Sequence, residues 1–146
     1  MGKRLRAGIL GYGRMGRGFV AAMQESNLWE VAAIYDICPP ARELAHRQVP
    51  TAAIYNAPEA IFSDPSIHAV GLFTLADARP EQIRRALANR KHVLAEKPLG
   101  ADVETEWQLV KEIEASHRFV AVNLFNRNAW YHKELQRFIA EEKSAI

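Results

Sequence analysis

One stretch narrows the choice of fold more than any other: Gly11-Tyr12-Gly13-Arg14-Met15-Gly16, directly after the apolar run Leu5 to Leu10. Beyond it Met15, Phe19 and Met23 recur at helical spacing, so the glycines sit where a strand turns into a helix. That is the context in which a GxGxxG sequence reads as a dinucleotide fingerprint. Gly11 permits the tight turn, Gly13 lets a pyrophosphate reach backbone N–H groups at the positive helix end, and Gly16 allows the helix to pack on the strand. An acid, Asp36, closes the second apolar run, Val31 to Tyr35, twenty residues after Gly16. There it is placed to accept hydrogen bonds from the adenosine ribose hydroxyls, and its charge opposes a 2′-phosphate, so the pattern predicts NAD over NADP. Arg14 and Arg42 are the nearby side chains that could accommodate such a phosphate.

The remainder of the chain repeats the alternation of strand and helix. Weak or short apolar runs at Ala52 to Tyr55, Ala69 to Phe73, His92 to Ala95 and Phe119 to Val122 read as strands. Pro39 and Pro40, Pro58, and Pro80 suit first turns of helices, where a missing N–H costs nothing. Val103, Trp107, Val110 and Ile113 mark a further helix, and Leu135, Phe138 and Ile139 a last one. Such a βα series predicts an α/β, Rossmann-type, doubly wound and mostly parallel six-stranded sheet with helices on both faces. Its ligands belong at the carboxyl ends of the strands, where the strand order reverses.

Composition removes competing classes. The 146 residues carry 19 Lys and Arg against 17 Asp and Glu, giving a net charge of +2, and the basic residues are scattered rather than gathered in a stripe with aromatics, which argues against nucleic acid. A single cysteine, Cys38, excludes an intramolecular disulfide and multi-cysteine metal sites within one chain, and the histidines lack metal or triad spacing. Glycines interrupt the only basic-then-apolar start, and no apolar run spans a bilayer. The expected location is cytoplasmic, with neither metal nor membrane as partner.

Glu96-Lys97-Pro98 ends the fifth predicted strand on the same rim as the glycine loop. Read by itself this is either a surface turn or a lysine placed to put a proton donor beside a reacting oxygen. The phrase Lys91-His92-Val93-Leu94-Ala95-Glu96-Lys97-Pro98-Leu99, following the fingerprint and Asp36, resembles the glucose-fructose oxidoreductase / inositol dehydrogenase / MocA (Gfo/Idh/MocA) family over essentially the whole chain. The resemblance implies an NAD(P)-binding Rossmann domain over residues 1–146, Lys97 as the catalytic residue near nicotinamide and substrate, and a cis Lys97-Pro98 bond. It further implies cofactor contacts from Gly11, Tyr12, Gly13, Arg14, Met15, Gly16, Asp36, Thr74, Leu75, Glu96, Lys97 and Arg127.

The chain departs from that family in three places. After the fourth strand the usual Thr-Pro and histidine are replaced by Thr74-Leu75 and Arg79; Arg79 would recognise an anion or, the favoured reading, pair with Asp77 or Glu81. After the sixth strand Arg127 is kept without its proline; it and Asn123 would reach the nicotinamide side or cap the last helix. The second, substrate-binding domain that members carry is not in this sequence. The expectation is therefore an NAD-dependent oxidoreductase of a sugar, polyol or similar secondary alcohol, present as its nucleotide-binding domain and not catalytically complete alone; the alternative is a dinucleotide-binding or sensing module without turnover. A small-molecule substrate is expected only with the missing domain, and Trp130, Tyr131 and Phe138, left bare without it, would favour a homo-oligomer.

Overall fold

In the computed structural model, which describes residues 4–124 and 129–142, the chain runs β1 (Leu5–Leu10), α1 (Arg14–Glu25), β2 (Trp29–Tyr35), α2 (Pro39–Gln48), β3 (Ala53–Ile54), α3 (Glu59–Ser63), β4 (Ala69–Leu72), α4 (Arg79–Ala88), β5 (His92–Ala95), α5 (Val103–Ala115), β6 (Val120–Val122) and α6 (Trp130–Glu142). The strands form one sheet in the order β3-β2-β1-β4-β5-β6, and every pairing is parallel. The chain winds outward from β1 to β3, returns to β4 on the other side of β1, and winds outward again. The reversal between β1 and β4 is the switch point at which the carboxyl-end loops diverge.

Each crossover needs a helix to connect parallel strands, and each helix buries its apolar stripe on the sheet. Val20 of α1 and Ala45 of α2 pack with Ile9, Val31 and Ile34 on one face. Ile61 and Phe62 of α3, Ile83 and Ala86 of α4, and Leu109 of α5 pack with Leu10, Val70, Leu72, Val93 and Ala95 on the other. The central strands are apolar through most of their length because both faces are covered.

Element ends differ from the periodicity by a residue or two. β4 stops at Leu72; the following Phe73 stacks its ring on Phe19, with centroids 4.9 Å apart, and its amide donates to Leu10 O at 2.8 Å. β6 begins at Val120 rather than Phe119, whose amide donates to His92 Nδ1 at 3.0 Å. β2 starts earlier than expected, at Trp29. On α6, Trp130, Leu135 and Phe138 are all exposed, as is Tyr131.

Two expected outcomes test this architecture. Leu109→Ala, at a site with no exposure, should lower unfolding free energy by about 2–5 kcal/mol, whereas Leu135→Ala on exposed α6 should change it by less than about 0.5 kcal/mol; urea titrations of both variants measure this. Carboxylates with depressed pKa values, Asp102 and Asp64 among them, contribute to the acid limit. Asp102 caps α5 through Thr105 N at 2.8 Å, and hydrogen bonds from Thr105 hold its pKa below the ordinary value; Ser66 does the same for Asp64. A depressed folded pKa adds stability above the unfolded value, about 3.9, that disappears as pH falls through the folded one. Stability should therefore drop below about pH 4, and Asp102→Asn should flatten part of that drop in an acid-unfolding series.

Candidate cofactor crevice

The three fingerprint glycines do different work. Gly11 has φ +92°, and a Cβ there would lie 2.5 Å from Phe73 O, so the turn admits only glycine without displacement of the β4 strand end. A Cβ on Gly16 would lie 2.0 Å from Gly11 O, so α1 rests backbone to backbone on the turn. Around Gly13 a Cβ would meet nothing within 4 Å: this side of the loop is open. Gly13 is also the N-cap of α1, which has no side-chain cap and no acid in its first turn, leaving its leading amides directed at the open side. Arg14 and Met15 are exposed there, and Gly16 is buried beneath.

The turn is joined to the end of β2. Tyr12 N donates to Asp36 Oδ2 at 2.6 Å and Cys38 N donates to Asp36 Oδ1 at 2.8 Å. Each carboxylate oxygen keeps a further lone pair. Arg42 Nη1 donates to Asp36 O at 2.7 Å and to Ile37 O at 3.2 Å, bracing the same corner. Tyr12 itself is buried, its hydroxyl donating to Gln48 Oε1 at 3.0 Å, and burial pushes the phenol above its usual range.

Across the switch point lies a cleft of about 490 Å³ whose lining includes Gly13, Asp36, Ile37, Thr74, Leu75 and Gln82. Ile37 and Leu75 are strongly exposed apolar side chains in this lining, and the Thr74 hydroxyl donates to Gln82 Oε1. The structure thus brings Gly11, Gly13, Asp36, Thr74 and Leu75 to one cleft, while Glu96 and Lys97 stand farther along the rim at the end of β5. Arg127 lies outside the described residues.

The Glu96–Lys97 rim is held by its neighbours. Glu96 N donates to Leu72 O at 3.0 Å, and Asn123, buried at the end of β6, donates its amide to Glu96 Oε1. The Lys97-Pro98 bond is cis, as the resemblance implies. Leu99 N and Gly100 N donate to Glu106 Oε1 at 2.6 and 3.1 Å. Lys97 is exposed, and among the described residues no side chain bonds its ammonium. Glu106, a clamp for the loop, escaped sequence reasoning; its only signal was an acid in the first turn of α5.

Arg79 corrects an expectation. It is neither an exposed partner of Asp77 nor of Glu81 but is 3% exposed, donating Nη1 to Pro98 O and Nη2 to Thr74 O. Burial lowers its pKa, with Glu96 and Asp77 opposing that shift through their charge. The Arg79-Pro80 pair places the arginine at the first residue of α4, where its side chain turns inward under the rim. Among the described residues no cluster of His, Cys, Asp or Glu could hold a metal ion, and no helix is long and apolar enough to cross a membrane.

Comparison with known proteins gives a consistent result. The chain is 30% identical over 137 residues to an inositol 2-dehydrogenase of Rhodococcus jostii (92% of this chain, 37% of the relative) and 31% identical over 137 residues to that of Mycolicibacterium smegmatis (92% and 40%). In structure it is similar to an NAD-binding protein from Listeria innocua, with TM-score 0.86, 26% identity and coverage of 96% of this chain and 41% of the other. It shares its fold with a 3-ketoreductase from Actinomadura kijaniata solved with NADP and TDP-benzene, at TM-score 0.85 and 23% identity, covering 95% and 43%. The chain spans about two fifths of the length of these relatives. Residues 5–124 match the oxidoreductase family with an NAD-binding Rossmann fold, so the chain belongs to the Gfo/Idh/MocA oxidoreductases and contains their NAD-binding domain.

Proposed function

We propose that this chain binds NAD and forms the cofactor half of a dehydrogenase acting on a polyol, sugar or similar secondary alcohol. One observation carries the reading: an open, uncapped helix start at Gly13 is tied through Tyr12 N to the carboxylate of Asp36 at 2.6 Å. In this reading the amides at the start of α1 hold the pyrophosphate, and Asp36 accepts from the adenosine ribose hydroxyls with its remaining lone pairs. Ile37 supplies an apolar side for the adenine and Leu75 a contact toward the nicotinamide half, with Arg14 and Met15 flanking the phosphates. The Asp36 charge disfavours a 2′-phosphate, and Arg42, spent on backbone carbonyls, does little to offset it. NAD is therefore the proposed cofactor over NADP.

When bound, the nicotinamide supplies hydride chemistry. Lys97, whose ammonium no side chain bonds among the described residues, is the proposed catalytic residue, donating a proton or hydrogen bond to the substrate oxygen. Hydride transfer also needs a shielded, oriented substrate, and a second domain is proposed to supply that enclosure, the relatives being longer than this chain. The exposed Trp130, Leu135 and Phe138 of α6 support self-association or covering by such a domain. The lone, exposed thiol of Cys38 suits a reducing compartment, and the proposed location is cytoplasmic.

Fluorescence titration of the 146-residue chain should show NADH binding at least about tenfold tighter than NADPH. Asp36→Ala should lose about 1.5–3 kcal/mol of NADH binding and narrow the difference; tighter NADPH binding by the unmodified chain would contradict the assignment. In a coupled assay with inositol and NAD the same chain should bind cofactor without steady turnover, and ordinary enzyme rates would show that no enclosing domain is needed.

A further inference from the structure

The guanidinium of Arg79 lies in a place where a cation is costly. It sits at the first residue of α4, beside the positive end of a helix dipole, which disfavours cations. It is only 3% exposed, its Nε has no hydrogen-bond partner among the described residues, and burial pulls its pKa down. What offsets this is specific: Nη1 donates to Pro98 O and Nη2 to Thr74 O. Those two carbonyls belong to separate rim loops, one following β4 at the switch point and one carrying Lys97. The planar fork of arginine can span two acceptors at fixed angles, which lysine's point charge cannot reproduce as well.

We propose that Arg79 is a positioning residue, setting the spacing between the Thr74 loop and the Lys97-Pro98 loop and hence the seat of the nicotinamide half of the cofactor. The inference rests on the dinucleotide reading above and deepens it. The adenosine half depends on Gly13 and Asp36, which Arg79 does not touch. Glu96 contributes to the same spacing: its charge favours the nearby guanidinium, while its Oε1 accepts from Asn123.

The test compares Arg79→Met, which keeps the apolar stem and removes the fork, with Arg79→Lys, which keeps the charge. ADP-ribose and NADH are titrated against each intact chain by calorimetry, and amide resonances of the cofactor-free chains are compared by NMR. Expected for Arg79→Met is a loss of about tenfold in NADH affinity with ADP-ribose affinity within about twofold, and partial recovery of NADH binding in Arg79→Lys. The Thr74, Leu75, Lys97 and Leu99 amides should shift while Gly13 and Asp36 stay in place. A parallel fall for both ligands would reduce Arg79 to a general stabiliser and overturn the proposal, as would unchanged NADH affinity. If the unmodified chain binds neither ligand, the dinucleotide reading fails separately. The resonances then decide on the loop spacing alone, and unmoved Thr74 or Lys97 amides overturn it.

Discussion

The close seat of α1 on the Gly11 carbonyl is the constraint on which the site depends. Because Gly16 has no side chain, the helix starts directly against the strand end, and its first amides emerge at the mouth of the sheet instead of beside it. A side chain at Gly11 or Gly16 would meet backbone, at Phe73 O or Gly11 O, which cannot swing aside as a flexible side chain can. The position of Tyr12 N opposite Asp36 follows from that seat, as does the contact of the turn with the end of β4. A backbone contact between two elements thus fixes the relation of three strands.

Much of this was legible in the sequence. The glycine spacing, Asp36 at a strand end and the prolines at helix starts are local signals whose physics is local, and they located the switch point. The strand interiors were legible because they are apolar on both faces, a property that survives without knowledge of partners. Boundaries were less so: the Phe119 amide just before β6 is taken by His92 Nδ1, a contact between residues far apart in the chain. Arg79 was misread for a related reason. A charge among charges reads as exposed, and nothing in its neighbours along the chain announces that two carbonyls await it beneath the rim. Glu106 and Asn123 are similar, being ordinary polar residues whose importance comes from loops they meet only after folding. The sequence read well where one segment determines its own geometry and poorly where two rim loops determine each other's.

The rim around Lys97 combines fixed backbone with an exposed lysine side chain. Leu72, Arg79, Glu106 and Asn123, drawn from β4, α4, α5 and the end of β6, hold the segment from Glu96 to Gly100. Lys97 projects its side chain outward. Fixing the main chain of a residue while leaving its rotamers open limits where its ammonium can travel without deciding where it rests, so a partner or substrate can choose the final position at small conformational cost.

The bond from Tyr12 N to Asp36 has a consequence for redesign. The side chain that sets cofactor preference is also a structural acceptor for the glycine turn, so charge and scaffold are carried by the same atoms. Replacement by alanine removes both at once and leaves a buried-side amide in search of a partner. Asparagine would keep an oxygen for that amide and discard only the charge, separating two roles that the native carboxylate fuses. Conversion of cofactor preference in this chain is therefore a two-variable problem: the turn must be re-supported before a phosphate can be invited in.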